Sequence, residues 1–223
     1  MLTVSAVITA AGKNSRMRKD QEELNIPLQN KLTLPLKSKE YSNTVIETTI
    51  NNVLNTDNID ECIVVLGHYS DEILPFINNL KDDRLKVVIN NPVDVGLSVS
   101  LLNGLLNIKS DIALCVTGDQ PTVSTKTFNN LINTIFNSEN PQKTISVLRR
   151  RKVGKLDSAE GLGMPFAADR KELIGYLKDK DDNLNPILRE IFADGFEFYG
   201  VEENHPNELI NINHYSEYES ILK

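Results

Sequence analysis

Val4-Ser5-Ala6-Val7-Ile8-Thr9 runs without a break into Ala10-Ala11-Gly12-Lys13-Asn14-Ser15-Arg16-Met17-Arg18-Lys19, and the character of the chain changes at the junction. The first six residues are small or β-branched, which suits a buried strand. Small residues then let the backbone approach a ligand, and Lys13, Arg16, Arg18 and Lys19 follow as a dense positive cluster. Successive N–H groups in such a loop form a concave anion site, and the cations would neutralise a polyphosphate. Taken alone, the loop reads equally well as solvated surface. It is not a Walker A loop, because GxxxxGK[ST] is absent. Nor is there a GxGxxG, since the run from Gly161 to Phe166 (GLGMPF) lacks its last glycine.

Working outward, apolar β-branched runs recur at Cys62 to Leu66, Leu85 to Ile89, Ile112 to Val116 and Thr144 to Leu148. Helical spacing fills the intervals: Thr44 to Leu54, Asp71 to Leu80, Ser98 to Ile108 and Ser124 to Phe136. Pro75 shortens or kinks the second of these. The β-α-β-α order predicts an α/β fold with a mostly parallel sheet and helices on both faces. After Arg149 the alternation loosens. Helical patches are expected at Lys171 to Leu177 and Pro186 to Phe192, strands at Phe196 to Val201 and Glu208 to Ile212, and a last helix at Ser216 to Leu222. With no repeat, linker or composition break, one domain over residues 1–223 is expected.

With 223 residues, 40% hydrophobic and 25% charged, the chain can bury a core without staples. Its 31 acids and 24 bases leave a net charge of −7, which argues against nucleic acid as a partner. Cys62 and Cys115 lie in separate apolar runs without CxxC spacing and read as buried reduced thiols. No apolar stretch approaches the ~20 residues that span a bilayer, so no membrane partner is expected. The opening stretch has no basic residues before it and suits a strand better than a signal segment, giving a cytoplasmic reading. His68, His205 and His214 lack metal spacing and read as surface or turn residues. Asn is common but scattered, a bias of composition more than a chemical signal.

Open α/β sheets bind ligands at the carboxyl ends of their strands, near the topological switch point. The loop after Ile112 to Val116 is Thr117-Gly118-Asp119-Gln120-Pro121. Asp119 there suits a hydrated Mg²⁺ bridging triphosphate oxygens, although the same residues are good turn chemistry. The loop after Leu85 to Ile89 opens a helix at which Ser98 is a candidate N-cap, with free N–H groups for a base, ribose or phosphate. The run Arg149-Arg150-Arg151-Lys152 reads as a solvated turn and stays outside the site.

Together these segments resemble the molybdenum cofactor nucleotidyltransferases. Ala10, Ala11, Gly12, Arg16 and Met17 fall in register on that family's LAAGxSxRMGxxK signature, and Gly118 to Pro121 (GDQP) matches its metal motif. The run NPVDVGLSVSLLNGL from Asn91 is similar to its Asn…Gly-x-x-x-Ser-Leu segment, GMPF at Gly163 to its Gly-His-Pro segment, and Asn211-Ile212-Asn213 to its closing Asp/Asn element. The family lysine falls on Lys31, in Lys31-Leu32-Thr33-Leu34-Pro35-Leu36, after about ten extra residues.

The resemblance implies a single-domain, Rossmann-like nucleotidyltransferase fold of the GT-A-like kind, with residues 1–120 as the nucleotide-binding half and 121–223 as the acceptor-binding half. It implies Mg²⁺-dependent transfer of CMP from CTP to a phosphorylated acceptor such as molybdopterin, with pyrophosphate released. Gly12, Lys13 and Arg16 would meet the β and γ phosphates and Lys31 the α-phosphate. Ala10, Ala11, Asn91, Gly96 and Ser100 would complete the nucleotide site, Asp119 and Asn211 the metal site, and Gly163 and Pro165 the acceptor site. Ala11 points to CTP, whereas Asn211-Ile212-Asn213 leans toward GTP. Met164 replaces the usual His, Arg18 a Gly, and Asn211 lacks a carboxylate's charge. Those departures keep open a guanylyltransferase, a sugar or cobinamide phosphate acceptor, and a non-catalytic nucleotide or cofactor carrier.

Overall fold

The computed structural model of the chain describes residues 2–36, 43–149 and 152–222. Its first half runs β1 (Val4–Ala10), α1 (Ser15–Glu23), α2 (Val45–Leu54), β2 (Ile59–Leu66), α3 (Ser70–Asn79), β3 (Leu85–Ile89), α4 (Leu97–Leu106), β4 (Ile112–Thr117) and α5 (Thr125–Phe136). The second half adds β5 (Thr144–Leu148), β6 (Gly154–Lys155), β7 (Phe166–Asp169), α6 (Arg170–Leu177), α7 (Leu184–Ala193), β8 (Glu197–Val201) and α8 (Tyr215–Ile221).

All eight strands join one mixed sheet in the order β3-β2-β1-β4-β7-β5-β8-β6. β7 lies antiparallel to both of its neighbours and β6 antiparallel to β8, so the other six strands share one direction. The period of two explains why the inner strands read as continuous apolar runs. Ala6 and Ile8 of β1, Val64 of β2 and Leu114 of β4 face a layer that includes Ile50, Ile77 and Phe128 from α2, α3 and α5. Val7, Ile63 and Cys115 face the opposite layer, with Leu101, Leu173 and Ile187 from α4, α6 and α7. Each fully buried aliphatic side chain contributes roughly 1.5–3 kcal/mol through removal from water.

Local chemistry sets the helix starts. Thr44 and Glu47 form a capping box at α2, with the Thr44 N–H 2.8 Å from Glu47 Oε2, and the Ser124 hydroxyl accepts the Thr127 N–H at 3.3 Å at α5. α3 continues through Pro75. Three expectations need correction. Ser98 is not the cap of α4: Gly96 occupies that position, and the Ser98 hydroxyl accepts the Asp182 N–H at 2.9 Å and donates to the Lys180 carbonyl at 3.0 Å. Glu208 to Ile212 is not a strand; Pro206–Leu209 is a 3₁₀ turn. Pro206 cannot serve a ladder, and the buried Glu208 carboxylate instead collects the Ser124 N–H, the Thr127 hydroxyl and the Asn204 N–H. The cationic run after Gly12 is mostly helix α1 and not a loop.

β1, β2 and β3 step to one side of the sheet while β4 returns to the other side of β1. The crevice between the ends of β1 and β4 is therefore the switch point, with Thr9 paired to Thr117. α4 closes over β1 and β2 at Gly104, where a Cβ would stand 2.3 Å from Val7 Cγ1 and 2.9 Å from Val65 Cγ2.

Gly104→Ala should cost about 1–3 kcal/mol by overpacking, read as a lower urea midpoint at unchanged slope; an unchanged midpoint contradicts this packing. Cys62 and Cys115 are fully buried free thiols. Burial pushes Cys62 up to about 12 and Cys115 up further, so neither thiol should react with a disulfide dye at mildly alkaline pH until denaturant is added.

Candidate active site

The switch-point crevice opens into a cavity of about 350 Å³. Ala10, Ala11, Gly12, Arg16, Lys31, Ser100, Asp119 and Asn211 line it, together with Thr9, Asn14, Asn30, Thr117 and Asn213. At Gly12 a Cβ would meet nothing within 4 Å, so the space beside that backbone is open to a ligand oxygen.

The charged groups converge on one asparagine. Lys31 Nζ lies 2.5 Å from Asp119 Oδ2 and donates to Asn213 Oδ1 at 3.1 Å, while Arg16 Nη2 donates to the same Asn213 oxygen at 2.9 Å. Asn213 is held in turn by α8, whose Glu217 carboxylate accepts the N–H groups of Asn213 and His214 at 2.6 and 2.8 Å. Asp20 on α1 accepts the Tyr215 N–H at 2.9 Å, and that bond holds its carboxyl below the usual range. Beside Asn213, Asn211 Oδ1 accepts from Gln120 Nε2 at 2.9 Å.

Lys31 reaches the cavity through a local clamp. Asn14 has φ 56°, the left-handed region that asparagine tolerates better than most residues. Its side chain donates to the Gln29 carbonyl at 3.2 Å and accepts the Lys31 N–H at 3.2 Å. Asn30 Oδ1 accepts the Leu32 N–H at 2.9 Å, capping the 3₁₀ turn that carries Lys31. Gln21 Oε1 accepts the Gln29 N–H at 3.0 Å, so the extra residues after Lys19 complete α1 and fold back to deliver the lysine.

Five residues picked out by sequence lie outside the cavity lining: Lys13, Asn91, Gly96, Gly163 and Pro165. Lys13 Nζ pairs with Asp94 at 2.7 Å on the exposed rim, and that bond holds the Asp94 carboxyl below its usual range. Asn91 is exposed; the buried Asn90 does the local work, donating to Ser100 Oγ at 2.9 Å. Gly96 caps α4, and its N–H donates to Asp181 Oδ1 at 2.6 Å. Pro165 is buried at the entry to β7, and Met164, in place of the usual His, is buried in the second apolar layer. Arg18 turns to the Tyr69 hydroxyl at 3.0 Å. In the basic run, Arg149 pairs with Glu203, and Arg150 and Arg151 lie outside the described residues. Asn213, Asn14 and Asn30 were missed as site residues because their roles come from tertiary position.

The residues present fit a hard divalent cation. Asp119 Oδ1 and Thr117 Oγ1 are the buried side-chain oxygens without a hydrogen-bond partner among the described residues, and an orphaned carboxylate oxygen at the cavity is a ready ligand. No group of three or more His, Cys, Asp or Glu gathers among those residues, so Asp119 would be the charged protein ligand and phosphate oxygens would have to supply much of the rest.

One family model, the MobA-like NTP transferase domain, matches residues 6–189. A nucleotidyl transferase from Methanothermobacter thermautotroptrophicus has a solved structure that is 44% identical, superposes with TM-score 0.88 and covers 98% of this chain and 95% of its own. The 4-diphosphocytidyl-2C-methyl-D-erythritol synthase of Anaerococcus prevotii shares the fold at 18% identity and TM-score 0.66, covering 95% of this chain and 91% of its own. The bifunctional protein GlmU of Francisella tularensis is 29% identical over 203 residues, 90% of this chain. The chain spans 38% of the length of that curated relative.

Asn14→Ala should cost about 1–3 kcal/mol, through the left-handed backbone and the two lost hydrogen bonds. Asn14→Gly should recover the backbone part alone, so urea midpoints in the order wild type, Gly, Ala are expected, and an Ala variant as stable as wild type contradicts the clamp.

Proposed function

The chain belongs to the MobA-like NTP transferase domain family, and on that premise we propose that it is a Mg²⁺-dependent cytidylyltransferase that transfers CMP from CTP to a phosphorylated acceptor, with a phosphorylated pterin such as molybdopterin as the first candidate. The observation that carries the reading is that Asp119, whose buried Oδ1 has no hydrogen-bond partner among the described residues, lines the same cavity as Gly12, Arg16 and Lys31.

A phosphate oxygen of the acceptor attacks the α-phosphorus of CTP in line. A new P–O–P bond forms as the bond to the β-phosphate breaks, and pyrophosphate leaves with the negative charge. No covalent enzyme nucleophile is needed, so the protein's work is positioning and charge neutralisation. The Gly12 amide and Arg16 receive the β and γ phosphates, Lys31 neutralises the α-phosphate, and Asp119 holds the cation, which when bound offsets charge on the phosphate oxygens. Asn211, already engaged by Gln120, offers a neutral oxygen beside it. Lys13 must leave Asp94 before it can reach a phosphate. Asn90 holds Ser100 toward the sugar and base, while Asn91 and Gly96 shape the loop around them.

Residues 1–120 supply most of the nucleotide contacts in this reading, and residues 121–223 close the acceptor side. Gly163 and Pro165 would act there by shaping the wall, since Met164 offers no polar side-chain group where the family usually has His. Ala11 favours CTP; Asn211 is the one observation favouring GTP. No helix among the described residues is long and apolar enough to cross a membrane.

Pyrophosphate release from CTP, GTP, ATP and UTP, each with a panel of phosphorylated acceptors, tests the proposal. CTP should give the highest kcat/KM, and Asp119→Ala should cut turnover by roughly two orders of magnitude, the scale of losing a key electrostatic stabiliser, with the fold intact. Release with no nucleotide, or near-wild-type turnover in the variant, would sink it.

A further inference from the structure

The cavity already contains a cation at its metal-binding carboxylate. Lys31 Nζ, with its side chain 17% exposed, sits on an Asp119 side chain that is 13% exposed. At 2.5 Å the ammonium holds Asp119 Oδ2 and offsets the carboxylate's single charge, while Oδ1 has no hydrogen-bond partner among the described residues; the second acceptor of the ammonium, Asn213 Oδ1, is 3.1 Å away. Arg16, Lys31 and Asp119 are the charged side chains lining the cavity, giving it a net charge of +1. A bare divalent cation would meet two fixed cations and one carboxylate there. Hard cations also give up water reluctantly and favour charged oxygen ligands, of which this wall supplies one carboxylate.

We infer that Lys31 is the resident cation of the Asp119 site, so that Lys31 and a divalent metal are alternative partners of that carboxylate and the metal is accepted only together with a triphosphate. This deepens the nucleotidyltransferase reading and rests on it. The triphosphate supplies the further charged oxygen ligands that the wall lacks. It also gives the released ammonium a new partner. Asn213 makes the exchange short, because its oxygen already holds Lys31 Nζ alongside Arg16 Nη2. Lys31 can pivot from carboxylate to phosphate while keeping that contact, and a lone metal ion does not lock the site before substrate arrives.

Mn²⁺ binding followed by electron paramagnetic resonance, with and without the non-reacting analogue α,β-methylene CTP, tests this. Wild-type protein should bind Mn²⁺ weakly alone and on the order of tenfold to a hundredfold more tightly with the analogue. Lys31→Met and Lys31→Gln should each bind Mn²⁺ alone about tenfold more tightly than wild type, since the carboxylate is freed of its partner. Asp119→Asn should lose the ion in both conditions. Equal Mn²⁺ affinity of the wild type with and without analogue overturns the inference, and needs no variant. So does Mn²⁺ binding to the Lys31 variants that is no tighter than wild type while Asp119→Asn still abolishes it; in that case the metal role of Asp119 stands and only the exclusion fails. Retention of the ion by Asp119→Asn would remove both.

Discussion

The parallel pairing of β1 with β4 is the constraint on which everything else rests. It sets Thr9 opposite Thr117, so the backbone after Ala10 and the aspartate after Gly118 leave the sheet side by side. Two stretches more than a hundred residues apart in sequence thereby share one crevice. The pairing is enforced by burial on both faces: Val7 and Cys115 look one way, Ile8 and Val116 the other, and all four are fully buried. A slip of one residue would turn each apolar set toward the wrong layer. The two strand ends that open the site are therefore held by the core beneath them.

Around that fixed pair the rest of the site is made of straps. α1 and the turn behind it carry Arg16 and Lys31 in; the segment before α8 brings Asn211 and Asn213 from the far end of the chain. Each strap is anchored in the core by a buried apolar side chain, Met17, Leu32 or Ile212, and its site residues are aimed by amide side chains and carboxylates bonding to backbone, as at Asn14, Asn30 and Glu217. Such bonds contribute about 1 kcal/mol each. That is enough to aim a side chain and small enough to let Lys31 change partner.

The apolar runs Val4 to Thr9, Cys62 to Leu66 and Ile112 to Val116 were legible because a strand buried on both faces writes itself as a continuous run. β7 was not, because Phe166–Asp169 holds two alanines in four residues and follows a Gly-Met-Pro segment that reads as a loop. Glu208 to Ile212 carried the apolar residues of a strand, yet Pro206 and the buried Glu208 carboxylate committed it to a turn. At the site, Gly12 and Asp119 were visible through chemistry tied to strand ends, and Lys31 through the resemblance of Lys31 to Leu36 to the family's lysine segment. Asn213 and Asn14 were hidden in a sequence where asparagine looked like background. Asn14, Asn25 and Asn58 all take left-handed backbone, so this chain uses asparagine where glycine often serves, and three of its asparagines (Asn14, Asn30 and Asn213) line the cavity beside the expected Asn211.

A crystal structure with Mn²⁺ and α,β-methylene CTP would show whether Asp119 and the Gly12 backbone share one metal nucleotide, because the anomalous signal of the metal locates it independently of the nucleotide. The expected peak lies at ligand distance from an Asp119 carboxylate oxygen, with the triphosphate running from that ion over the Gly12 amide and Lys31 turned to a phosphate. A metal peak away from Asp119, or a nucleotide seated outside the crevice between β1 and β4, would contradict it.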